Sequence, residues 1–430
     1  MMSLQPTTPR SPAYTPTPAP PASPLLLGAT EERLAGYHRD WEVIRPEGSL
    51  AELGRLKVGG SRPGIHHFDP RCFTAEEDLL VELARREVPR VPAVYRLGDT
   101  TIPVHSYIEG NPLALRRPPG SRLSRRHLHQ LLGLFGRLAA IRPSDLALLH
   151  HCPPSRRARH SGEFLRALVR FTREQVYHPH LPAMHTLFAA LGIGPQVLAE
   201  TGPLARAADQ LTHRPFCLLH GDLHRDNLIV AAEDGALWTI DWELALLGDP
   251  LYDLATHLHL MGYPPAQQLT LPGRWSRVVE EVLPGASAGL LRDLPVYLQY
   301  KRVQSVFTDV IRHGLLIREV PAAQVPEQLA RASVAVSAAL RRAAGIMRLE
   351  SVPEQGRIEA AYAQLRATGP REPLPDRLPE QGSGPAPLLS RSLPGGARTA
   401  LPGRPAPAGH AVTRSAGPPA AWPSAPPEDG

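Results

Sequence analysis

The apolar residues of this chain change their period near Asn111, and that change limits what the chain can build. From Trp41 to Ile108 they come in short runs separated by turn residues. Trp41–Arg45 and Arg55–Val58 read as strands around a turn at Pro46-Glu47-Gly48-Ser49, and 93–97 and 102–107 as two more. Between the pairs, 74–87 reads as one helix. Thr74 and Glu77 have the spacing of a capping box, Leu79, Leu80 and Leu83 form an apolar stripe, and Pro89 and Pro92 end the helix. After Asn111 the period becomes helical. Leu128, Leu131, Leu132, Phe135 and Leu138 repeat as one face of a helix over 124–140. Segments 162–177, 195–211, 295–313 and 327–347 read the same way. Only 216–219, 228–230 and 237–240 interrupt this pattern as short strands. The expectation is an α+β fold of two lobes, a small β-rich one over 30–110 and a larger, mainly helical one over 111–368.

The ends do not belong to either lobe. Residues 1–24 hold eight prolines and 369–430 hold fifteen, among Ser, Ala and Gly. Such segments bury too little apolar surface to offset the entropy of ordering them. Segments 1–29 and 369–430 are therefore expected to be disordered tails, and they are the candidates for protein contacts. No run of eighteen apolar residues occurs and no basic segment with an apolar stretch opens the sequence, so neither a membrane span nor a secretory signal is expected. Cys72, Cys152 and Cys217 show no disulfide or zinc spacing and read as buried thiols in a cytoplasmic protein. The formal charge is +6, carried by arginine with only Lys57 and Lys301 as lysines. The arginines are scattered and aromatics sparse, which argues against a nucleic-acid surface.

The chemistry concentrates in Leu219-His220-Gly221-Asp222-Leu223-His224-Arg225-Asp226-Asn227-Leu228-Ile229, with Asp241 fourteen residues beyond Asn227. Phosphoryl transfer needs a carboxylate to orient the attacking hydroxyl and accept its proton, and oxygen ligands for magnesium on the nucleotide phosphates. Asp222 and Asn227, five apart on one loop, and Asp241, at a strand end facing it, have that spacing.

This run, with Ile240-Asp241-Trp242-Glu243 and Gly248-Asp249-Pro250-Leu251-Tyr252-Asp253-Leu254-Ala255, resembles the aminoglycoside phosphotransferase family. That family includes choline-kinase-like small-molecule kinases and has a protein-kinase-like fold. The resemblance is dense over 219–255 and looser over 40–110. It implies ATP and Mg²⁺ as cofactors and a small-molecule hydroxyl acceptor. By it, Asp222 is the catalytic base, His220 braces the loop, and Asn227 and Asp241 hold the metal. It also implies adenine contacts to the backbone near Ser106, Tyr107 and Ile108, and a phosphate-covering turn at Gly48-Ser49, where a plain β-turn is the equal alternative.

A cation for the phosphates is also required. Lys57 is the candidate, because a strand lysine in an arginine-dominated chain suggests a need for a compact ammonium. Glu76, on the apolar face of the 74–87 helix, is its candidate partner, with Glu77 the alternative. Asp249 reads as a helix N-cap and Asp253 as a buried structural carboxylate. His66-His67 lacks a third metal ligand at helical spacing. Glu243 is a candidate substrate contact. Arginines near 116–126 and 156–159 lean towards a neutral or anionic acceptor. The competing reading is a catalytically silent, kinase-like nucleotide-binding scaffold.

Overall fold

The computed structural model describes residues 28–368 except 37–38, 63, 65, 97–102, 147–148 and 151–159, together with 413–414. Of the segments expected to be disordered tails, 28–29 lie in a strand and 413–414 form a two-residue strand paired with 95–96, which corrects the expectation there; the rest of the tails, Cys152 and the arginines at 156–159 lie outside the described residues. The chain divides into two compact units with a boundary between residues 65 and 66.

The first unit is an antiparallel meander. Strand β1 (Gly28–Ala35) pairs with β2 (Arg39–Pro46), and β2 pairs with β3 (Leu56–Ser61). A single 3-10 segment, Gly48–Leu53, joins β2 to β3, and Gly48 enters it at φ 63, a left-handed conformation that glycine adopts at little cost. Val43, Ile44 and Leu56 are fully buried. Lys57 stands opposite Val43, and its ammonium lies 3.9 Å from the ring centroid of Trp41 on β2.

The second unit opens with helix α1 (Glu76–Arg85), then a hairpin of β4 (Val94–Arg96) and β5 (Pro103–Ser106). Helix α1 begins one residue later than the capping box implies. Ala75 is its N-cap, and the Glu77 carboxylate meets His105 Nε2 at 3.2 Å. The side chains at the start of α1 are drawn into tertiary contacts instead of capping their own helix.

Next come β6 (Gly110–Pro112), the short α2 (Leu113–Arg116) and α3 (Arg125–Ala139). The Ser124 hydroxyl caps α3 by accepting the His127 N–H, and the predicted apolar face of α3 is the buried one. Helix α4 (Ser161–Phe171) runs through a π-helical turn (Thr172–Tyr177) into α5 (His178–Ala190), so the segment read as ending at 177 is longer. The helix expected over 195–211 is a 3-10 turn, Pro195–Leu198, and a short α6 (Pro203–Ala208). Pro203 has no N–H to continue a helix and starts a new one, with Gly202 as its N-cap.

The strand-like pieces after 215 form two small sheets. Strand β7 (Cys217–Leu219) pairs with β10 (Leu246–Gly248), and β8 (Leu228–Ala231) pairs with β6 and with β9 (Leu237–Thr239). Five helices follow: α7 (Pro250–Met261), α8 (Pro265–Val282), α9 (Leu290–Glu319), α10 (Val325–Met347) and α11 (Gln355–Thr368). The architecture is the expected α+β, a β-rich N-terminal region followed by a mainly helical C-terminal part. Cys217 is a buried free thiol as read. Cys72 is disulfide-bonded, which corrects its reading as a thiol; spacing along a chain does not measure proximity in space.

Candidate active site

The loop between β7 and β8 is held from below by two buried side chains. The Asp253 carboxylate, in the first turn of α7, accepts the N–H of His220 at 3.1 Å on one oxygen and that of Gly221 at 2.9 Å on the other. Burial raises its pKa to about 6, with the two N–H donors pulling the other way. Arg225 closes the other end. Its buried guanidinium donates to the carbonyls of Met261, Arg117 and Ser121 at 2.7, 2.6 and 2.9 Å. Glycine at 221 is required by geometry. It adopts φ 79, and a Cβ there would run into the backbone carbonyl of Leu244.

His220 is fully buried against Trp242, with ring centroids 4.5 Å apart. Burial lowers its pKa to about 4, so the imidazole is neutral. Its Nδ1 accepts the Asp222 N–H at 3.3 Å, which places its proton on Nε2. His220 thus meets the loop through a hydrogen bond to the backbone of Asp222.

Asp222 is half-buried, and its carboxylate is bound from two sides. Asn227 Nδ2 donates to the Asp222 carbonyl at 2.9 Å and to its Oδ2 at 3.1 Å. His224 bridges Asp222 and Asp226, with Nε2 and Nδ1 each 3.4 Å from a carboxylate oxygen. Burial works against a charge on His224, but the two carboxylates more than offset it and lift its pKa to about 10. Burial would also raise Asp222, yet the His224 imidazolium holds it below the usual carboxylate range.

The β8–β9 register brings Asp241 to this loop. Leu228 faces Thr239, and the Ile240 N–H donates to the Asn227 carbonyl at 3.0 Å, one residue before Asp241. Asp241 has φ 63, a conformation that Asp and Asn tolerate better than most side chains. The next N–H, that of Trp242, donates to Glu76 Oε1 at 2.9 Å. Glu76 therefore grips the segment carrying Asp241. Glu243 pairs with Arg71 at 3.0 Å. Ser106 lies at the end of β5, where both its N–H and its hydroxyl are bonded to Ala93; Ile108 follows in the half-buried link to β6. Lys57 and Ser49 belong to the first unit.

The Asp249 reading as an N-cap is observed: its Oδ1 accepts the Leu251 N–H at 2.9 Å. It also binds Arg214 through Nε and Nη2 at 2.8 Å each and the Tyr297 hydroxyl at 2.7 Å, while Arg214 Nη1 reaches Asp293 at 2.7 Å. All three charged side chains are buried. Sequence reading missed Arg214, Arg225 and Asp293, which no local motif marks. It also passed over Lys301, although the scarcity of lysine was a usable signal.

Family comparison matches residues 61–286, just over half of the chain, to the phosphotransferase enzyme family. A protein of Ralstonia eutropha provisionally assigned as an aminoglycoside phosphotransferase shares 14% identity, covering 78% of this chain and 93% of its own at a TM-score of 0.47. A choline/ethanolamine kinase family protein of Mesorhizobium loti shares 18%, covering 80% and 96% at 0.37. Choline kinase LicA of Streptococcus pneumoniae shares 14%, covering 73% and 95% at 0.38. No curated protein sequence matches. The family match spans the His220–Asp241 segment and the helix that grips it, and by it this chain belongs to the phosphotransferase enzyme family.

Proposed function

We propose that the protein transfers the terminal phosphoryl group of ATP to a hydroxyl of a small molecule, with Asp222 as the residue that orients that hydroxyl. Membership of the family supports a small-molecule phosphotransferase. The observation that carries the finer reading is the pinning of Asp222 by Asn227 and His224 on a loop anchored at both ends. Held below the usual range, the Asp222 carboxylate is ionised and weakly basic. It accepts a hydrogen bond from the acceptor hydroxyl and takes its proton late, as a loose phosphoryl transition state demands.

The donor set suits a hard divalent cation. Because Asn227 Nδ2 is committed to Asp222, its Oδ1 is the end left to coordinate, and the Asp241 carboxylate supplies further oxygens. Magnesium held by these residues would neutralise charge on the nucleotide phosphates. Lys57 would add a second cation, Gly48-Ser49 the covering turn, and the backbone at Ser106–Ile108 the adenine contacts. The nucleotide lobe proposed is 30–110 and the catalytic lobe 111–368. A cytoplasmic location, which would supply ATP, belongs to the same reading. No helix among the described residues is long and apolar enough to cross a membrane.

The test is magnesium-dependent ADP release with a panel of alcohols. Asp222→Asn should lower turnover by about 10²–10⁴ while leaving nucleotide binding intact. Unchanged turnover in that variant would refute the role of Asp222. No turnover in the wild type would favour the silent scaffold.

A further inference from the structure

Lys301, one of only two lysines in the chain, lies midway along α9 and is 6% exposed. Its ammonium stands 5.5 Å from the ring centroid of Tyr252, the residue before Asp253 on α7. It makes no hydrogen bond and no ion pair among the described residues. One turn on, Gln304 donates through Nε2 to Asp69 at 2.7 Å, and its buried Oε1 has no partner. The loop carrying Asp69 continues to Arg71, whose Nε and Nη2 are buried and make no hydrogen bond, although Nη2 lies 3.0 Å from Glu243.

This wall beside the Asp222 loop is short of acceptors. Among the described residues, Lys301 has no partner for its ammonium beyond the Tyr252 ring, and Arg71 Nε is a buried donor that makes no hydrogen bond, against one unmet acceptor on Gln304. The nearby carboxylates have other partners: Glu243 pairs with Arg71 Nη2, and Asp69 accepts from Gln304. Asp253 is filled by two backbone N–H groups, and Asp222 is matched by His224 and Asn227. A cation on a buried side chain and a buried N–H without a partner both favour a ligand that brings acceptor oxygens.

We infer that Lys301, with Arg71 and Gln304 beside it, selects an acceptor alcohol that carries an anionic group, and that Lys301 binds that anion while Asp222 holds the hydroxyl. This rests on the phosphotransfer reading above and narrows its acceptor to hydroxylated acids, excluding polycationic alcohols. A carboxylate on the acceptor would accept from Lys301 Nζ and Arg71 Nε, and a polar hydrogen elsewhere on it would meet Gln304 Oε1.

The experiment compares three matched alcohols, 4-hydroxybutyrate, 1,4-butanediol and 4-aminobutan-1-ol, by kcat/KM for magnesium-dependent ADP release. The wild type should prefer the carboxylate at least tenfold over each of the others. Lys301→Met should bring that ratio close to one, and Lys301→Arg should retain most of it. The ratio is internal to each variant, so a general loss of activity does not mimic the effect. ADP release without charge preference, a preference for the amine, or a ratio unchanged in Lys301→Met would overturn this inference alone. No ADP release by the wild type with any of the three would overturn the phosphotransfer reading and the inference together. A fourth arm with 4-hydroxybutyl phosphate distinguishes a phosphate-bearing acceptor from a carboxylate-bearing one, either of which satisfies the inference.

Discussion

Replacing Asp253 by asparagine separates the two things its carboxylate does. Each oxygen accepts one backbone N–H, so the amide can satisfy one and must present its NH₂ to the other. The orphaned buried N–H costs about 1–3 kcal/mol. Ionisation acts in the opposite sense. The folded pKa of about 6 lies above the ordinary 3.8, so folding favours the protonated carboxyl. That contribution is complete below pH ~4 and is lost as pH rises through 6. The gap of roughly two pH units corresponds to about 3 kcal/mol, which asparagine does not experience. Relative to the wild type, Asp253→Asn should therefore be destabilised by about 1–3 kcal/mol at pH 4.5 and near neutral or slightly stabilised at pH 8. Urea unfolding of both proteins at the two pH values measures this directly, since every other titrating group is common to both and cancels. A stability difference that is the same at both pH values, within about 1 kcal/mol, would refute the reasoning. Turnover should fall at least tenfold at either pH, because the N–H pair sets the position of Asp222.

Two further outcomes follow from the anchoring of the loop. Arg214→Met leaves Asp249 and Asp293 buried without their shared cation and should cost about 3–5 kcal/mol in urea unfolding. Gly221→Ala forces a Cβ towards the Leu244 carbonyl at φ 79; it should lower the melting temperature by a few degrees and turnover by about a hundredfold, read by calorimetry and ADP release.

Local signals in the sequence located most of the elements and much of the site. The α3 face at Leu128, Leu131, Leu132, Phe135 and Leu138 is buried as its period demands, because an amphipathic stripe needs only one apolar neighbour of any kind. Asp249 caps α7 because capping is decided within a few residues. The failures are non-local. Thr74 and Glu77 have the spacing of a capping box, but Glu77 is taken by His105 and Glu76 by the Trp242 N–H, 166 residues away. The carbonyl cage of Arg225 and the Arg214 pairings join segments that share no pattern. The helix expected over 195–211 failed for a local reason, since Gly202-Pro203 was legible and was outweighed by the apolar period.

Helix α9 has a consequence for how enzymes of this design can change their acceptor. Its first turns carry Asp293 and Tyr297, both tied to the buried Arg214–Asp249 pair, and Asp249 in turn starts the helix whose Asp253 holds the Asp222 loop. One helix is therefore fixed at its beginning to the network that holds the Asp222 loop and carries Lys301 and Gln304 further along, where the proposal places the acceptor. Under that proposal, substitutions at 301 and 304 would alter which molecule is accepted without disturbing the network that holds Asp222. Drift at 293 or 297 would reach every substrate at once. The two halves of the chemistry are thus separately mutable within a single helix, by position along its length.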